Sequence, residues 1–348
     1  MSSSRGFLLL RKSEGIHHPL VKLCGSQRCT RPYSQVTRKT PNFGLLFDID
    51  GVIIRGKRIL PTAPEAFNLL VDKSNKFCIP TVFVTNAGNA LRSEKADQLS
   101  QWLGIEVHED QVVMAHSPLK MFDQYLNKQV LISGQGPTQE IAHNLGFCNT
   151  TTVDELRQAY PQLDCVDHKR RSMKAVESVS QIPKLDAIML FGEPVRWETS
   201  LQLLVDVLMT GGDLLGKPTA PYPHLPILAC NMDLQWMAEA HMPRDNVHTD
   251  IFGMNLYQEY VRRHRGSKKR VAMQGARGLD LSTHDFKGLM ADQCYSVLVQ
   301  TGVYNGEQLL EHSPRDFLPV ESKLQEPSIT VKCVLEAITT IFQQEKFS

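Results

Sequence analysis

The 348-residue sequence has no Cys-x-x-Cys pair, although it carries eight cysteines, at 24, 29, 78, 148, 165, 230, 294 and 333. That scatter argues against a zinc knuckle or a dithiol redox centre and predicts ordinary core thiols. No uninterrupted apolar run approaches the length of a membrane span. Net charge is also scarce: 38 basic against 37 acidic residues leave +1, so the whole chain is no obvious binder of nucleic acid or another polyanion. Acids are nearly missing from one region. Between residue 1 and about residue 40, Arg5, Arg11, Lys12, Lys22, Arg28, Arg31, Arg38 and Lys39 face only Glu14, among several serines.

This is the composition of a transit peptide, and Phe7-Leu8-Leu9-Leu10 is too short an apolar region for a secretory signal. Arg31-Pro32-Tyr33-Ser34 fits a mitochondrial processing pattern, arginine just upstream of an aromatic residue and a serine, so residues 1–33 are expected to be a mitochondrial leader cut after Tyr33. A disordered basic tail is the alternative. Downstream, an apolar content of 42% and the length allow a large core and two domains.

The most informative stretch is Phe43-Gly44-Leu45-Leu46-Phe47-Asp48-Ile49-Asp50-Gly51. It reads as a buried strand ending in a loop, and ligands of open parallel sheets collect at the carboxyl ends of such strands. Two carboxylates one residue apart can divide a displacement between a nucleophile and an acid/base, and a divalent cation makes their crowding tolerable. A calcium loop fails, because its fifth and twelfth positions fall on Val52 and Ile59. A plain turn is the simpler alternative. A second strand, Ile79 to Thr85, also ends in polar residues, Thr85, Asn86 and Gly88, although Thr85 could merely cap the next helix. Helices are expected over Pro64–Val71, Leu91–Leu103, Pro137–Leu145, Glu198–Met209 and Val331–Phe342. Further strands are expected over Gln129–Gly134, Leu185–Phe191, Leu225–Asp233 and Cys294–Val303. Thr152 to Arg171 reads as polar connection, and Arg262 to Arg270 as part of a solvated basic loop.

Phe47-Asp48-Ile49-Asp50-Gly51-Val52 and Val82 to Asn89 resemble the first two motifs of the haloacid dehalogenase superfamily. Ser133-Gly134-Gln135-Gly136-Pro137, Gly192 to Glu198 and Pro221 to Pro226 extend the resemblance to its NagD-like and nitrophenylphosphatase-like branch, the nearer match being the family of cat eye syndrome critical region protein 5. The resemblance implies an α/β fold: a Rossmann-like parallel-sheet core (34–127 and 243–348, the latter with a polar loop at 262–290) and an inserted α/β cap of the C2 type (128–242). It implies an Mg2+-dependent phosphatase acting on a small phosphorylated substrate, with Asp48 as nucleophile and Asp50 as acid/base. By the same resemblance Thr85 and Asn86 bind phosphate, and Asp48, Asp50, Asp245 and Asp250 hold the metal.

The order of the later motifs departs from the family. A lysine motif followed by a strand ending in Gly-Asp should come after the cap, but Gly216-Lys217-Pro218 precedes Asn231-Met232-Asp233, and Arg244 stands where the glycine should be. Only eleven residues separate Asp233 from Asp245, too few for a helix plus a strand, which need about 30. An internal deletion is therefore expected, with the core lacking a strand beside that of Asp48 and the chain lacking its catalytic lysine, Lys217 being a surface turn. The rival function is a non-enzymatic interaction module.

Overall fold

The computed structural model describes residues 7–11, 41–165, 182–218, 222–230, 247–264, 293–302 and 321–347, with the single positions 169 and 291. Two sheets dominate. The larger contains β1 (Phe7–Arg11), β2 (Phe43–Asp48), β5 (Thr81–Thr85), β6 (Val112–Met114), β11 (Gln293–Val299) and β12 (Ile329–Val331), in the order β12-β11-β1-β2-β5-β6. β2, β5 and β6 run parallel, as do β11 and β12, whereas β1 is antiparallel to both its neighbours. A two-stranded ribbon, β3 (Ile54–Arg55) with β4 (Arg58–Ile59), follows the Asp48 loop.

Strand alternation sorts the side chains of β2. Phe43, Leu45 and Phe47 enter one core with Phe67 of α1 (Ala63–Asn68) and Ile338 and Ile341 of α8 (Val334–Glu345). Phe47 and Phe67 have ring centroids 4.6 Å apart. Leu99 and Leu103 of α2 (Arg92–Leu103) close the same core, as the 3.6-residue period of this segment predicts. Gly104 ends α2 in the left-handed conformation. On the opposite face, α6 (Val247–His264) packs on β11 through Ile251 against Leu298. Asn255 accepts from the Ser296 hydroxyl and its Nδ2 donates to the carbonyls of Leu324 and Glu326, around the short α7 (Ser322–Gln325).

The second sheet is the cap. Its strands, β7 (Gln129–Ser133), β8 (Asn149–Thr152), β9 (Ala187–Leu190) and β10 (Ile227–Ala229), are all parallel in the order β10-β9-β7-β8. Ile141 and Leu145 of α3 (Thr138–Leu145) cover one face, and Leu203 and Val207 of α5 (Trp197–Met209) the other.

Three expectations need correction. Thr152 to Arg171 is not plain connection: residues 149–159 form β8 and α4 (Val153–Ala159), and the Thr152 hydroxyl accepts from the Glu155 N–H while Glu155 accepts from the Thr152 N–H. Arg262, Arg263 and His264 end α6 and are not loop, while 265–290 lie outside the described residues. Of six described cysteines only Cys294 is fully buried, and Cys148 and Cys165 are exposed because they sit in loops beyond element ends.

The region of the expected deletion, 231–246, lies outside the described residues, and with it Arg244 and Asp245. The place beside β2 is nevertheless filled. β1 occupies it, so the backbone of β2 is paired along both edges.

Candidate active site

Asp48 is the last residue of β2, buried at 7% exposure and in register with Val84 of the parallel β5, so that Thr85 follows directly alongside. Two adjacent parallel strands therefore deliver Asp48, Asp50, Thr85 and Asn86 to one edge of the sheet. The chain turns sharply after Asp50. Gly51 has φ of 80° and donates its N–H to the Ile54 carbonyl at 2.6 Å, a left-handed conformation that suits glycine. Ile49, Val52 and Ile53, all within 1% of full burial, pin the loop from below. Thr301, just beyond β11, ties it from the side, donating its hydroxyl to the Gly51 carbonyl at 2.6 Å.

Thr85 is buried, and its hydroxyl accepts from the Ala87 N–H at 3.2 Å. It does not cap the next helix, since Leu91 is the residue that precedes α2. Asp250 lies in the first turn of α6, next to the Ile251 that packs on Leu298. Register places Asp48 level with Leu298 on the same face and at the same end of the sheet. However, β1 stands between their two strands, so these strands are roughly 10 Å apart. Among the described residues no three acidic, histidine or cysteine side chains form a group that could hold a metal.

One charged side chain near the candidate site was not singled out in the sequence. Lys95, in the first turn of α2, is half-buried and electrostatically coupled to Asp50. Burial pushes the Asp50 carboxyl above its ordinary range, and the Lys95 ammonium pulls it partly back. Reciprocally, burial lowers the Lys95 pKa and Asp50 raises it. Nζ of Lys95 donates to Gln98 Oε1 at 2.7 Å and stands 5.7 Å from the centre of the Trp102 ring. The first-turn position, just after a polar loop, was the available signal. Lys217, by contrast, is exposed after the turn closed by Gly216 N–H on the Asp213 carbonyl, as expected of a surface turn.

The cap meets the core at this loop. A Cβ on Gly88 would lie 2.2 Å from the Phe191 carbonyl oxygen at the end of β9, and one on Gly136 would lie 2.2 Å from the Asn89 carbonyl oxygen. The backbones of core loop and cap loops thus touch where only glycine fits. His116 lies nearby, with Nε2 3.2 Å from the Ala90 carbonyl and its ring 6.2 Å from that of Phe191, and burial lowers its pKa.

Residues 45–148 match the haloacid dehalogenase-like hydrolase family. This segment runs from β2 through α3 and contains Asp48, Asp50, Thr85, Asn86 and Lys95, within a Rossmann-like parallel-sheet core that carries a cap-like insertion. A mitochondrial hydrolase of Saccharomyces cerevisiae is 27% identical over 244 residues, covering 66% of this chain and 64% of its own length. A cardiolipin synthase (CMP-forming) / mitochondrial hydrolase fusion protein of Schizosaccharomyces pombe is 24% identical over 334 residues, 86% of this chain and 55% of its own. The chain thus spans less than two thirds of the length of either relative. Among solved structures, p-nitrophenyl phosphatase from Archaeoglobus fulgidus gives a TM-score of 0.45 at 17% identity, over 85% of this chain and 97% of that one.

Proposed function

We propose that this chain is a mitochondrial phosphohydrolase of the haloacid dehalogenase type, acting on a small or lipid-linked phosphate ester. The observation that carries the reading is the convergence of Asp48, Asp50 and Thr85 at adjoining strand ends, beneath cap loops, with the Lys95 charge acting on Asp50. The names of the two yeast relatives support the compartment, and that of the Schizosaccharomyces pombe fusion protein supports the link to phospholipid. The motif resemblance favours the family of cat eye syndrome critical region protein 5.

In this reading the Asp48 carboxylate attacks phosphorus, and Asp50 gives its proton to the leaving oxygen. Its raised pKa keeps that proton available closer to neutrality. Asp50 then takes a proton from the water that hydrolyses the acyl phosphate. Thr85 and Asn86 hold the phosphoryl oxygens, and the cap loops exclude bulk water. Mg2+ fits the donors present, two hard carboxylates crowded into a buried strand end, and when bound it offsets the repulsion between Asp48 and a phosphate dianion. Asp48 and Asp50 would hold it, with Asp250 and Asp245 as the proposed further ligands.

Phosphate release from p-nitrophenyl phosphate and from lysophospholipid phosphates tests the reading. Turnover should require Mg2+ and should fall by at least about a thousandfold in Asp48→Asn. Turnover that survives chelation or this substitution would refute the mechanism. The rival reading, a chain with impaired turnover that acts by binding, is favoured by the exposure of Lys217. It predicts turnover well below that of a form carrying an added helix and strand before Asp245.

A further inference from the structure

The segment with leader composition and the central sheet are not separate. β1, Phe7–Arg11, lies within the basic stretch that the sequence marks as a leader, yet it is hydrogen-bonded on both sides between β2 and β11. Its register is continuous along all five residues. Position 7 stands opposite Phe47 and Val297, position 9 opposite Leu45 and Tyr295, position 8 opposite Leu46 and Ser296, and position 10 opposite Gly44 and Cys294. Phe47, Leu45 and Val297 are at most 1% exposed, so positions 7 and 9 align with core rows, and the only run of four consecutive apolar residues in the leader supplies them.

Without β1, the facing edges of β2 and β11 would be two unpaired rows of backbone donors and acceptors in the middle of a sheet. Such rows are costly when buried and readily pair with any extended chain. β2 and β11 are parallel to one another with room for one strand between them, which defines the slot. The reversed direction of β1 is the mark of a segment that joins the sheet from outside the strand-helix alternation, since a crossover connection would have made it parallel.

We propose that the gap between β2 and β11 is a binding slot for a single extended apolar segment, filled here by Phe7–Arg11, and that processing of the leader would empty it. The uncut chain then carries its own sheet-completing strand, and the mature chain presents a slot one strand wide that ends beside Asp48. A short apolar peptide in extended conformation is the ligand class. Folding and removal of the leader thereby oppose one another, because residues seated in the sheet cannot at the same time be threaded through a translocase.

The full chain with Leu10→Cys decides the placement without truncation. Directly opposed residues on antiparallel strands have Cα atoms about 4.5–5.5 Å apart, within disulfide reach. Mild oxidation should therefore link position 10 to Cys294, and mass mapping should find no such link in Leu10→Cys, Cys294→Ser or to the out-of-face Arg11→Cys. Next, a chain lacking residues 1–33 should show amides of β2 and β11 exchanging at least about tenfold faster than in the full chain, and a synthetic peptide of residues 5–13 should restore protection where a peptide with serine at 7, 8, 9 and 10 does not. A truncated chain that fails to fold, alongside a positive 10–294 link, supports the same conclusion. Absence of the link in the full chain, or unchanged exchange after truncation, overturns it.

Discussion

Asp50 sits where its charge is unfavourable to the fold. Its folded pKa is raised by burial, so the stability it contributes is fully present below the unfolded value, about 3.9, and is lost as pH rises through the folded value. Asp50→Asn should accordingly raise the melting temperature at pH 7, with the gain vanishing below about pH 4, while abolishing phosphate release. A melting temperature that falls at pH 7 would contradict the burial cost. Lys95 moderates the same carboxyl. Lys95→Met should shift the Asp50 limb of the pH–rate profile to higher pH, because the opposing charge that lowers its pKa is gone. An unmoved limb would remove Lys95 from the site. Asp48 and Asp50 were legible in the sequence because strand, carboxylates and glycine are contiguous. Lys95 lies more than forty residues away on another element, and only folding brings its charge to Asp50.

Between elements, two contacts set how the cap is held. Gly88 and Gly136 allow backbone approach that no other residue permits without a shift, so Gly88→Ala should push the core loop off the end of β9. Its effect should be a raised KM for cap-bound substrates and faster protease cleavage near residue 134, with core melting little changed; wild-type kinetics would show that the loops do not need this contact. Inside the cap, Arg157 and Asp164 form a buried pair at 2.9 Å, at 8% and 0% side-chain exposure, joined by Asp154 and by the Thr199 hydroxyl. Asp164→Ala leaves the buried guanidinium with only the exposed Asp154 as ion-pair partner and should cost the cap about 3 kcal/mol, read as an early unfolding step in a denaturant titration. The α4 start beside this pair was written in the sequence as Thr152-x-x-Glu155, a capping box overlooked amid polar neighbours. The partnership of Arg157 with Asp164 and Thr199 could not be read, since it depends on how α4 and α5 cross the cap sheet.

For the molecule as a unit, the basic leader predicts import into mitochondria and cutting after Tyr33, checked by amino-terminal sequencing of protein recovered from the organelle. A chain still beginning at Met1 in that fraction would mean that β1 stays in the sheet. The large sheet is arranged so that this matters: five strands follow the parallel plan and one, from the far end of the chain, closes the middle. On the face away from α1 and α8, Leu46, Val82 and Val84 are half-buried.

The sequence alone determined the strand-helix alternation and the carboxylate pair at a strand end. Each of these is written in residues close enough along the chain to share one period or one loop. Helix α2 from Arg92 to Leu103 illustrates this, as its apolar spacing set its limits to within a residue. The tertiary structure decided what stands across from those residues: the Lys95 charge that acts on Asp50, Phe191 against Gly88, and Phe7–Arg11 against β2. A buried strand edge needs a partner whatever its origin, and which segment meets that need is a competition among distant parts of the chain that local periodicity does not encode.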